Sequence, residues 1–133
     1  MKKLIVSALF VCGSFTLFAD DHGAFEAAMK TAGKAMGPMG KAVNGGSLTD
    51  AVAPAKQMIE VYDVTEKFWK EKNVDDAIQM SVDGKAAAKA LLASAEAGKV
   101  EEAKAAFGKL GATCKSCHAA HREKLPEGGY KIK

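Results

Sequence analysis

The stretch "TCKSCHAAHREK", residues 113–124, gathers two thiols, two imidazoles and a guanidinium within three turns of a presumptive helix: Cys114, Cys117, His118, His121 and Arg122. A Cys-x-x-Cys pair has three uses: a redox disulfide, half of a zinc site, or thioether attachment of haem. The histidine directly after the second cysteine favours attachment. Two thiols three residues apart on a helical turn match the separation of the two vinyl groups of haem, and the adjacent imidazole then lies where it can bind the iron. A zinc site would need His121 as a fourth ligand beside Cys114, Cys117 and His118. A thioredoxin-like pair would follow a strand in a βαβ pattern, and no such pattern is present.

The chemistry of thiols depends on compartment. The chain opens MKKLIVSALFVCGSFTLFAD, with Lys2 and Lys3, an apolar run from Leu4 to Phe18, then Ala19 before Asp20 and Asp21. That pattern is a secretory signal peptide, residues 1–19, cut after Ala19, and it places the mature protein, residues 20–133, in the periplasm. The run is too short for a stable membrane anchor. Cys12 leaves with the signal, so only Cys114 and Cys117 remain. The formal charge of +3 falls to +1 once Lys2 and Lys3 are removed, which argues against nucleic acid as a partner.

Helical periodicity dominates the remainder. A first helix is expected from His22 to Asn44, with Phe25, Met29, Ala32, Met36 and Val43 at helical spacing and a bend near Pro38. A second runs from about Thr49 to Lys72, with Ser47 and Asp50 at capping-box spacing, Pro54 blurring its start and "VYDVT" liable to break it. Asn73 reads as the N-cap of a third helix that ends before Gly98, and a fourth spans about Val100 to Lys124, stopped by Pro126 and Gly128-Gly129. Four helices with short links in one domain make an all-α, antiparallel up-down-up-down four-helix bundle. So many alanines and glycines would under-fill such a bundle, and close packing then calls for a cofactor between the helices.

"CKSCHAAHR" on the last helix and "MKTAGKAMG" on the first resemble the class II c-type cytochromes, the family of cytochrome c′, at the two ends that make up about a third of the chain. The resemblance implies one covalently attached haem c near the C-terminus, with His118 as proximal iron ligand and Arg122 in the haem environment. His121 departs from the aromatic residue usual before that arginine. The family divides into proteins whose iron keeps an open face and proteins in which a methionine sulfur fills it. Met29 aligns with that distal position, with Gly33 one turn on, while Met36 should pack deeper and Met39 lies beyond Pro38. The resemblance therefore implies a monohaem cytochrome passing single electrons between redox partner proteins. Its alternative is a five-coordinate haem protein that binds nitric oxide or carbon monoxide. No base or nucleophile set suggests an enzyme. Many relatives pair, so a homodimer stands beside a monomer. His22, in a terminal turn, is a poor distal ligand, and Lys99, Lys104, Lys109 and Lys115 read as a solvated face on which a redox partner could dock.

Overall fold

Three left-handed residues set the architecture. In the computed structural model, which describes residues 21–133, the helices are α1 (Asp21–Gly45), α2 (Leu48–Lys72), α3 (Asp75–Glu96) and α4 (Val100–His121). Gly46, Asn73 and Gly98 follow the first three with φ of 75°, 55° and 71°. After each helix the same pair of bonds closes the chain: Ser47 N–H to Ala42 O and Gly46 N–H to Val43 O, Val74 N–H to Trp69 O and Asn73 N–H to Lys70 O, Lys99 N–H to Ser94 O and Gly98 N–H to Ala95 O. This is the Schellman motif, in which one αL residue satisfies the last carbonyls and reverses the chain. Each reversal lays the next helix antiparallel beside the last, giving the expected up-down-up-down bundle.

Several boundaries differ from expectation. Asn73 terminates α2 rather than opening α3, whose first helical residues follow Val74 with no side-chain cap. Asparagine tolerates positive φ, and here the tight reversal outweighs its capping ability. Ser47 precedes α2 without forming the side-chain half of a capping box, and Asp50 N–H bonds its backbone carbonyl instead. Pro38 and Pro54 sit inside continuous helices, and "VYDVT" stays helical because Val61, Tyr62 and Thr65 all face the core. Met39, not Met36, is the deep methionine: Met39 is wholly buried and Met36 half-buried.

The fourth helix stops at His121, three residues early. Arg122–Lys124 (β1) is extended and pairs antiparallel with Tyr130–Ile132 (β2), Arg122 opposite Ile132. A lone two-stranded hairpin is marginal in water, so this one depends on anchorage. Ile132 packs on the Phe68 and Trp69 cluster, the Arg122 guanidinium lies 3.8 Å from the Tyr130 ring centroid, and Lys133 N–H bonds His121 O at 3.0 Å. Gly128 and Gly129, at φ 99° and 81°, make the turn.

The core is a stripe of alanines from all four helices, punctuated by Met39, Met58, Leu91 and Leu110. A second, aromatic cluster closes the end where α2 finishes and α3 begins, with Phe25 stacked on Phe68 at 4.2 Å and Phe68 edge-on to Trp69 at 5.0 Å. Of the four neighbouring helix pairs, α1 and α4 touch least. Buried Gly84, in the middle of α3, lies beside Tyr62: a Cβ there would sit 2.2 Å from the ring's Cζ. Gly84→Ala should therefore cost roughly 1–3 kcal/mol of stability, read as a lower unfolding midpoint in urea, although alanine is the better helix former.

Candidate functional site

Two contacts fix the register of α4 on α2. Tyr62 Oη lies 3.3 Å from Cys114 Sγ, and the Trp69 ring lies 5.0 Å from that of His121. Both pairs are 52 residues apart, so α2 and α4 run parallel in step. His118 is then level with Glu66. The Phe25–Phe68 stack fixes antiparallel α1 on α2, and places Met29 level with Val64. The two residues expected to face the iron thus differ in level by about two residues, or roughly 3 Å along the bundle axis. They lie on the neighbouring helix pair that touches least.

Cys114 and Cys117 are both free thiols, half-buried one turn apart. Cys114 and Met29 pack on the same core cluster. Burial pushes the Cys117 thiol up from its ordinary pKa, and the neighbouring Cys114 and Asp76 add to the rise. Burial pushes His118 down, with the Arg122 cation acting in the same direction, so at neutral pH its imidazole is uncharged and keeps a lone pair for a metal. Arg122 reaches His118 by its field, yet it is not one helical turn beyond it as expected. Its extended backbone stacks the guanidinium on Tyr130.

His121 does not close a zinc site. Its ring nitrogen Nε2 is 2.8 Å from Asp76 Oδ2, and among the described residues no three His, Cys, Asp or Glu side chains converge on a metal position. His22 is exposed and meets Phe68 edge-on, with ring centroids 6.3 Å apart. Lys99 and Lys104 pair with Glu102 and Glu101 on the surface of α4, contacts of little energetic weight. Gly33 is exposed, and among the described residues no side chain or neighbouring helix comes within 4 Å of where a Cβ would stand.

The chemistry of this donor set fits a covalently held haem. Two reduced thiols and a neutral imidazole share one stretch of α4, and the same end of the bundle holds an unpartnered donor. Trp69 is 2% exposed, and its indole Nε1–H has no acceptor among the described residues. A buried N–H left unpaired costs about 1–3 kcal/mol, so such groups commonly mark a ligand or ion. No motif in the sequence points to the contact of Tyr62 with Cys114 or of Asp76 with His121. The one signal for Tyr62 was a polar aromatic in the buried register of Met58, Val61 and Thr65.

Residues 60–122 match the profile of the family described as Cytochrome C′. A cytochrome c′ of Alcaligenes xylosoxydans xylosoxydans is 53% identical over 34 residues, covering 26% of this chain and 27% of the relative. Both similarities support the cytochrome c′ family. The match to the relative spans little more than a quarter of that protein's length, and no solved structure matches the chain. The profile covers the second half of α2, α3 and α4 through Arg122, so it includes Cys114, Cys117 and His118 and leaves Met29 outside. Cytochrome c′ proteins carry one covalently attached haem c, and Cys114, Cys117 and His118 fit its attachment motif.

Proposed function

We propose that the chain is an exported monohaem c-type cytochrome that passes single electrons between partner proteins, with His118 and Met29 as the axial pair. When bound, the haem supplies a one-electron iron couple. Cys114 and Cys117 would hold it, the uncharged His118 imidazole would offer its iron a nitrogen, and Met29 would offer a thioether sulfur. The observation that carries this reading is that Met29 and His118 lie within about 3 Å of one level on the neighbouring helix pair that touches least. A neutral sulfur and a neutral nitrogen favour ferrous iron and little change of geometry between oxidation states, which suits electron transfer. Optical spectroscopy of the purified pigment tests this directly: a low-spin ferric spectrum is expected, and a high-spin one would remove Met29 from the iron.

A second reading follows from the name of the relative. In that reading the iron keeps an open face that binds nitric oxide or carbon monoxide, and Met29 only packs on the core cluster.

Export is part of the proposal, because the signal peptide and its Ala19 cut lie outside the described residues. Among those described, no helix is long and apolar enough to cross a membrane. The mature protein should begin at Asp20 and be released with the periplasmic fraction. An N-terminus at Met1, or pigment that sediments with membranes after a salt wash, would sink the export reading.

A further inference from the structure

Tyr62 is a buried polar group that haem ligation alone leaves without a task. It is 7% exposed, and its hydroxyl has one bonding partner among the described residues, the Cys114 sulfur on another helix. Burial holds the phenol far above its ordinary pKa, with the Cys114 thiol adding to the rise, so it stays an O–H donor at any physiological pH. The ring reaches Cys114 only because α3 offers no side chain at Gly84. Helices α2 and α4 thus meet at one sulfur while α3 makes room for the ring, and Cys117 has no corresponding side-chain bond among the described residues.

We propose that Tyr62, seated by Gly84, is a positioning residue for haem attachment: it holds the Cys114 sulfur and so secures the first of the two thioethers. The inference rests on the haem reading above. In the covalent step the Cys114 S–H adds across a vinyl C=C. Sulfur bonds to the carbon nearer the ring, the thiol hydrogen goes to the terminal carbon, the π bond is lost, and nothing is oxidised or reduced. Before the step either Tyr62 or Cys114 can donate. Afterwards the sulfur carries no hydrogen, and Tyr62 is the donor to it. The bond therefore survives attachment and fixes the direction from which the sulfur meets its vinyl carbon.

The test uses the full haem-bearing protein, denatured, reduced, treated with iodoacetamide, digested and weighed by mass spectrometry. In the unaltered protein both cysteines resist alkylation. Tyr62→Phe removes one oxygen and keeps the ring, and it should yield a population attached through Cys117 alone. Alkylated Cys114 should exceed alkylated Cys117 about fivefold, the ratio expected from the net contribution of one buried hydrogen bond. Gly84→Ala, which displaces the ring with its hydroxyl intact, should bias the same way. A single-thioether haem also keeps one vinyl group, which moves its reduced pyridine absorption to longer wavelength. Mere loosening of the fold would lower the yield of pigment without choosing between the two sulfurs. Both variants fully closed at both cysteines, or free thiol divided evenly, overturns the role of Tyr62 alone. An unaltered protein in which both cysteines alkylate overturns the haem reading beneath it as well.

Discussion

Replacing both Cys114 and Cys117 with alanine should abolish the pigment and leave a chain whose α1 no longer docks stably on α4. The unaltered protein should keep its colour through acid acetone extraction after denaturation, and its mass should exceed that of the mature chain by one haem. Stripping of the pigment, or the bare mass, would end the covalent reading. The folding consequence has a separate cause. The α1–α4 side of the bundle is the least closely packed of the four, and Phe107 of α4 reaches it over Gly40 of α1. At protein packing density an under-filled seam is costly, at about 24 cal/mol for each Å³ left empty. Trp69 adds to this, because its indole N–H is already without an acceptor among the described residues. Hydrogen exchange is the measurement that resolves the effect, since it reads local opening along the chain. Amides of α1 should lose protection first, while the tightly packed α2–α3 pair keeps more of its own. Equal protection with and without the cysteines would show that the alanine core closes unaided.

How far such a site can be read in advance depends on the separation of its parts. Cys114, Cys117 and His118 lie within five residues, so their order and spacing favour haem attachment without any knowledge of the fold. Gly98 marks a helix end because glycine is the residue most at ease with positive φ. Asn73 misled for a physical reason: the same side chain that can cap a helix start also tolerates the left-handed conformation that ends one. Asp75 and Asp76 just beyond it made the first use look right. The hairpin was missed because "REK" and "YKI" are too short and too charged to show alternation, and their pairing depends on Ile132 reaching an aromatic cluster built by α2 and α3. Arg122 was consequently placed one helical turn beyond His118, whereas its extended backbone stacks it on Tyr130. Met36 and Met39 were exchanged in depth for a similar reason. Periodicity marks a face of α1, but only the neighbouring helices decide which of its edges is deepest. Contacts such as Tyr62 with Cys114 and Trp69 with His121 span 52 residues. They exist only because the Schellman turns return α4 parallel to α2, and no local pattern carries that information.

Met29→Leu should have the largest effect on function with the least on the fold. If the Met29 sulfur holds the iron, the unaltered ferric protein is low-spin and shows the weak long-wavelength charge-transfer band of sulfur ligation. The substitution should abolish that band, leave a high-spin five-coordinate iron and lower the reduction potential, because a neutral thioether favours the ferrous state. Leucine nearly matches methionine in volume, and the side chain is only half-buried against the core cluster, so repacking should cost about 1 kcal/mol or less. Any larger loss measures the broken iron–sulfur bond. Carbon monoxide supplies an independent reading: in the unaltered reduced protein it must wait for the sulfur to leave, so binding should be slow, and in Met29→Leu it should be fast. Fast binding to the unaltered protein, with a high-spin ferric spectrum that the substitution does not change, would assign the chain to the gas-binding reading. The closeness in level of Met29 and His118 would then mark packing across a seam and not a pair of ligands.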